Sequence, residues 1–166
     1  MAIYYSDGSN STAGRQVQVI TNTSSTYTVN TSSTYADLTN HHVDITPKSN
    51  GNRIIGTFSA YLNNRDGDTD SRVKFKIVEV VGGVSTDIYF PNLNEGVDSH
   101  QWISIINGSN TTDNDMWNLH TLHWVRTLPS SGRAGVSHRY KMQAGVNLAD
   151  SVKTLGFSGT LTEVTV

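Results

Sequence analysis

From Gln16 onward the chain alternates apolar and polar residues with a period of two, the spacing of side chains on opposite faces of a half-buried strand. Gln16-Val17-Gln18-Val19-Ile20 opens the pattern, Thr26-Tyr27-Thr28-Val29 continues it or pairs with it, and Tyr35-Ala36-Asp37-Leu38 leads into Val43-Asp44-Ile45-Thr46. Pro47 cannot donate to a ladder, so the strand is expected to stop there, with a turn at Lys48-Ser49-Asn50-Gly51-Asn52. The clearest stretch follows. Ile54, Phe58, Ala60 and Leu62 share one face with Gly56, and Ile55, Thr57, Ser59 and Tyr61 share the other. Val73, Phe75 and Ile77 alternate with Arg72, Lys74 and Lys76, which places the cations on a solvated face. Val81-Gly82-Gly83-Val84 reads as a hairpin turn before Thr86 to Phe90.

Further strands are expected at Trp102 to Ile106, stopped by Asn107-Gly108, and at Leu119 to Leu128 ahead of Pro129-Ser130-Ser131-Gly132. His138 to Ala144 and Gly159 to Val166 complete about eight to ten strands, the number found in β-sandwiches and jelly rolls. No stretch carries the pattern of a long helix. The expected fold is all-β, one sandwich or jelly-roll domain over residues 15–166.

Residues 1–14 differ. Ser6-Asp7-Gly8-Ser9-Asn10-Ser11-Thr12-Ala13-Gly14 is a polar spacer behind the apolar tip Ile3-Tyr4-Tyr5. It is either a frayed terminus or an arm whose tip Ile3, Tyr4 and Tyr5 docks on a neighbouring subunit.

Composition narrows the function. Ser, Thr, Asn and Gly crowd the sequence, which favours strands and turns over helix interiors. Only 16% of residues are charged, against roughly 25% in an ordinary soluble domain. The formal net charge of −2 offers no attraction for nucleic acid or an anionic membrane, so neither is an expected partner. Cysteine is absent, so neither disulfides nor thiolate zinc sites contribute. There is no apolar run of about 20 residues, and the N-terminus lacks the regions of a signal peptide; a soluble protein made in a cytoplasm is expected.

The search for chemistry finds no nucleophile elbow, no phosphate-binding glycine loop and no helical zinc spacing, and no enzyme or cofactor is expected. Three groupings merit weighing. In Asn64-Arg65-Asp66-Gly67-Asp68-Thr69-Asp70, the carboxylates of Asp66, Asp68 and Asp70 are candidates for a calcium ion. The spacing lacks the downstream Glu of an EF-hand, and Arg65 and Arg72 are available to neutralise the acids, so a solvated hairpin tip is the expected state. His120 and His123 would face opposite sides of one strand, which disfavours a shared metal; with His41-His42 they read as partly buried, hydrogen-bonded histidines. A three-fold assembly would add a further arrangement, one histidine per chain in a ring around the axis. Trp102 and Trp124 sit in strand patterns and read as core, whereas Trp117, with Asp113 and Asp115, lies in a polar stretch and is a candidate glycan contact at a loop tip. The paired carboxylates also raise glycoside hydrolysis, with nothing to set their separation.

Several segments, in order, resemble a domain of bacteriophage tail-fibre and other virion structural proteins: Gln16 to Val19, Tyr35 to Leu38, Val43 to Ser49, Arg53 to Gly56, Tyr140 to Ala144 and Thr160 to Val164. The opening Met1-Ala2-Ile3-Tyr4-Tyr5-Ser6-Asp7-Gly8 is similar to the N-termini of structural proteins from phages of cyanobacteria. The resemblance implies a β-sandwich assembled as a homotrimer on a virus particle, with no catalytic residues to carry over. The chain departs from longer fibre proteins in lacking a coiled-coil or repetitive shaft. Three readings are therefore open: a capsid decoration protein held to the major capsid protein, which leads because the shaft is missing; a fibre tip or adhesin that binds a host surface glycan; and a free carbohydrate-binding or hydrolytic protein. A hydroxyl-rich, Tyr-rich chain without disulfides also gains stability by burying a second surface, and its sheet edges, against copies of itself.

Overall fold

The computed structural model describes residues 3–4, 10–11, 14–31, 34–64, 72–89, 102–104, 118–146 and 152–166. Within the arm, β1 (Ile3–Tyr4) pairs antiparallel with β2 (Asn10–Ser11). The body contains β3 (Gln16–Ser24), β4 (Thr28–Asn30), β5 (Ala36–Ile45), β6 (Arg53–Asn64), β7 (Arg72–Val81), β8 (Val84–Tyr89), β9 (Trp102–Ser104), β10 (Asn118–Thr127), β11 (His138–Val146) and β12 (Val152–Val164). Among the described residues there is no helix.

Two antiparallel sheets pack face to face as a β-sandwich. The first has the order β10-β6-β12-β3, with β4 also on β12; the second has β5-β11-β7-β8, with β9 also on β7. The pairs β3·β12, β5·β11, β6·β10 and β7·β8 nest inside one another, so the body is one long antiparallel ribbon folded back at the β7–β8 turn. Rolling that ribbon brings β12 against β6 and β11 against β7, which distributes successive strands between the sheets. This is jelly-roll topology. The fold-back is a two-residue turn at Gly82 (φ 56°) and Gly83 (φ 81°), the left-handed pair whose twist matches that of the flanking strands.

The period-two faces expected from the pattern meet between the sheets. Ile54, Phe58, Ala60, Leu122, Trp124, Phe157 and Leu161 of the first sheet pack on Leu38, Val43, Ile45, Val73, Phe75, Ile77, Tyr140 and Met142 of the second. Each large apolar side chain sealed there contributes about 1.5–3 kcal/mol. Gly56 shares the buried face with Ile54 and Phe58 because the Trp124 ring lies where its side chain would be. That ring also meets Phe58 edge-on at 5.8 Å and Tyr140 at 4.8 Å.

Some expectations change. The two segments expected between Tyr35 and Thr46 belong to one strand, Ala36–Ile45, bent where Asn40 takes φ 61° and turns His41 into the core. The last strand begins at Val152, well before Gly159. Lys74, expected in solvent, is only 7% exposed. Its ammonium lies 4.8 Å from the Tyr35 ring centre, and that of Lys76 lies 4.6 Å from the same ring, so the aromatic covers two cations of β7.

At one end of the sandwich a buried carboxylate fastens the β5–β6 turn. Glu163 accepts hydrogen bonds from the backbone amides of Lys48 and Ser49, from Asn52 Nδ2 at 2.7 Å and from Gln18 Nε2 at 2.6 Å. Burial alone would raise its pKa; these donors outweigh that and hold it below the ordinary carboxylate value. Asn50 and Gly51 then tie the same turn to the β10–β11 connection, through Arg133, Ala134 and Pro129. Glu163→Ala leaves these donors without their acceptor and is expected to cost about 2–3 kcal/mol in a urea denaturation series, with an unchanged m-value.

Candidate assembly face

The two outer faces of the sandwich are chemically unlike each other. On the second sheet, ion pairs join Arg139 to Asp44, Lys141 to Asp37 and Lys76 to Asp87, at 2.7–2.8 Å. On the first sheet the strand registers align the outward residues from Tyr61 to Ile55 of β6 in four layers that contain no Asp, Glu, Lys or Arg; Lys153, in register with Asn63, stands at the next position beyond the first layer. Leu155, Tyr61 and Leu119 form the first layer. Thr23, Ser158, Ser59 and Thr121 form the second, and Thr21, Thr160, Thr57 and His123 the third. Val19, Thr162, Ile55 and Val125 form the fourth, beyond which Arg53 marks the rim.

Two layers made mainly of hydroxyls, with His123 at one end, thus lie between two that are apolar except for Thr162. Within them Ser59 and Thr121 share a hydrogen bond of 2.8 Å, and Thr57 Oγ1 one of 2.7 Å with His123 Nδ1. The apolar members are open to solvent: Val125 is 59% exposed, Leu119 57%, Tyr61 47% and Val19 42%. A contiguous band of this kind, without one charged side chain, is the composition of a surface that meets another surface. A groove of about 450 Å³ crosses the first two layers, between Thr23, Ser24, Tyr61, Leu119 and Phe157. It opens where the β12 register shifts between Leu155 and Phe157.

The other concentration of chemistry is sealed inside. Glu79 Oε1 accepts hydrogen bonds from His138 Nδ1 and from the Tyr140 hydroxyl, both at 2.9 Å, and Oε2 accepts one from Arg126 at 3.1 Å. Burial would raise the Glu79 pKa, but the two hydrogen bonds and the Arg126 charge outweigh it and hold it at about 2. Burial, and then the neighbouring Glu79 charge, push the Tyr140 phenol up. Glu79 and His138 are paired as a general base and its orienting acid would be, yet Glu79 is 1% exposed and His138 and Tyr140 are fully buried. No substrate reaches them, and the cluster cross-links β7, β10 and β11.

The residues singled out from the sequence lie mostly elsewhere. Asp66, Asp68, Asp70, Asp113, Asp115, Trp117 and Tyr5 fall outside the described residues, and of Ile3 and Tyr4 only the strand pairing of the arm is described. Among the described residues no three metal-ligating side chains come together. His120 and His123 take opposite faces. His120 stacks on Phe75 inside, where burial lowers its pKa, and His123 stands on the outer face. His41 is buried with Nδ1 2.7 Å from the Thr39 carbonyl, and burial lowers its pKa also. The layered face was missed because each strand shows only its own alternation; the signal in the sequence was that, between Arg53 and Lys153 at the two ends, the outward positions of β6 and β12 are Ile, Thr, Ser, Tyr and Leu where Lys and Glu are usual.

No protein-family model matches the chain, and no curated protein matches it. Solved structures similar to it include that of infectious bursal disease virus, Gx strain, at 12% identity and TM-score 0.43, covering 97% of this chain and 37% of the other. Dimeric latent PorU from Porphyromonas gingivalis is similar at 15% identity and TM-score 0.39, covering 99% of this chain and 14% of the other. The Gt strain of infectious bursal disease virus follows at 11% identity and TM-score 0.27, covering 100% and 46%. The chain thus spans less than half the length of each of these, and likenesses this distant assign no function.

Proposed function

We propose that the chain is a bacteriophage virion structural protein, a homotrimeric capsid decoration protein that adds buried contact to the shell. The observation that carries this reading is the uncharged, layered outer face of the first sheet, a contact surface on a jelly roll whose opposite face carries ion pairs. The resemblance of segments between Gln16 and Val164, in the same order, to a domain of phage virion proteins supports the particle as its place. Its work is mechanical. Protein–protein area added across shell joints resists outward pressure from the packaged genome, and the major capsid protein is the partner. The arm, with its Ile3-Tyr4-Tyr5 tip, reaches a neighbouring subunit.

The groove beside Tyr61 favours one second reading, a fibre tip in which an exposed aromatic and a row of hydroxyls bind a neutral host glycan. Electron cryomicroscopy of particles with and without the protein separates the two. Loss of density on the head is expected; loss at the tail establishes the fibre reading, and unchanged particles overturn both.

A further inference from the structure

We infer that His41 is an acid-operated latch: in its neutral form it holds shut the seam between the β3 edge of one sheet and the β5 edge of the other, and protonation opens that seam. The device belongs to the single chain and stands apart from the assembly proposed above.

The latch is built around an interruption of the β5–β11 ladder. Asp37 is in register with Gln143 and His42 with Lys141, so four residues of β5, Leu38 to His41, stand opposite Met142 alone. In this bulge Asn40 takes the left-handed φ of 61°, and His41 turns inward, fully buried, with its ring 5.1 Å from that of Phe157. β12 is irregular at the same level, where its register with β6 shifts between Leu155 and Phe157 through Gly156 at φ 68°. Side chains hold the seam here in place of a ladder. Asn40 Nδ2 donates to Thr26 Oγ1 at 2.9 Å, Asn22 Nδ2 to the His42 carbonyl at 2.7 Å and Gln18 Nε2 to the Thr46 carbonyl at 2.9 Å. These three bonds lace β3 and the segment after it to β5, directly over the buried ring.

The imidazole fits this place only when neutral. Nδ1 lies 2.7 Å from the Thr39 carbonyl, which can only accept, so Nδ1 carries the ring proton and Nε2 keeps its lone pair. Nε2 is buried and meets no hydrogen-bond partner. A second proton would set a charged donor in the apolar interior with nothing to accept it. Among the described residues, the elements packed around the ring bring no counter-charge. On its own strand Asp37 and Asp44 are exposed and paired with Lys141 and Arg139 of β11, and His42 only adds positive charge. β11 sets Met142 opposite the bulge, and the Tyr140 phenol is bound to Glu79. β12 offers Phe157, and its Glu163 is held by its own donors at the Lys48 turn; β3 offers Asn22 and Ser24. On β10, His120 is another buried neutral ring, in unbroken register with Ala60 and away from the bulge.

Burial lowers the His41 pKa from the ordinary 6.5, against the pull of the Thr39 bond, and the His42 charge adds to the lowering. The open seam therefore binds this proton more readily than the closed one. The preference for the closed form is complete above pH 6.5 and is lost as pH falls below it.

Amide hydrogen exchange, expressed as protection factors, reads the seam in the intact chain. Between about pH 7.5 and 5, above the range where Glu79 and the other carboxylates titrate, protection of residues 22–30 and 37–43 is expected to fall by about tenfold per pH unit at most, the dependence of one proton. The β6–β10 pair is expected to stay protected. His41→Asn, which keeps a donor near the Nδ1 position, and His41→Leu, which keeps the bulk, are both expected to abolish the pH dependence, and His120→Phe to leave it intact. Flat protection in the wild-type chain overturns the inference, as does a loss spread equally to β6 and β10, one that persists in a folded His41 variant, or one that disappears with His120→Phe. Should both His41 variants unfold, the wild-type ring decides by nuclear magnetic resonance. Its titration midpoint is expected below 6.5 and in step with the loss of protection, and a midpoint at or above 6.5, or out of step, sinks the latch.

Discussion

Glu79→Ala is expected to destabilise the domain by about 3–5 kcal/mol, because it leaves the Arg126 charge and the His138 and Tyr140 donors facing a hole in the sandwich. In a chain of this length that lowers the melting temperature by roughly 10 °C. Differential scanning calorimetry measures it, and a change under 1 kcal/mol would mean that water enters and satisfies the cluster. The same carboxylate sets the acid limit. Its folded pKa of about 2 lies below the ordinary value of 4.5, so the unfolded chain binds this proton more readily. The stabilisation is full above about pH 4.5 and is lost as pH falls towards 2. Asp37, Asp44 and Glu163, also held below the carboxylate range, act in the same direction. Glu79→Gln is expected to start from lower stability at pH 7 and to fall less steeply below pH 4.5.

The second large effect is at the contact of Trp124 with Gly56. Trp124→Ala removes a ring packed on Phe58 and Tyr140 and is expected to cost about 3–5 kcal/mol. Gly56→Val drives a branched side chain into the same ring and is expected to cost about 3 kcal/mol, at the upper end of overpacking. The double variant should lose clearly less than the sum, since the new valine occupies part of the vacated volume. Strict additivity in chemical denaturation would show that the two sites do not share this space.

The glycine at position 56 illustrates how far the chain could be read in one dimension. Its place on the inward face with Ile54 and Phe58 followed from alternation alone, and so did the inward Val73, Phe75 and Ile77 of β7, because a strand's period of two is a local steric property. The turn at Gly82-Gly83 was equally local, set by the backbone freedom of two adjacent residues. Why position 56 has no side chain was not local, since the answer is a tryptophan 68 positions along the chain, brought beside it by β6–β10 pairing.

Lys74 and Glu79 make the same point from the polar side. A lysine in an alternating strand belongs in water unless something covers it, and the cover, Tyr35, arrives from the segment that enters β5. A glutamate on an inward position is tolerable only with partners, and its three come from β10 and β11. The sequence by itself determined the all-β class, the strand faces, the turns and the near-absence of charge along the strands that became the first sheet. Tertiary structure alone decided the jelly-roll order, the buried polar cluster and the uncharged four-layer face, because each depends on which strands lie side by side. Register between strands is set by the packing of the whole core, which no single strand's pattern contains.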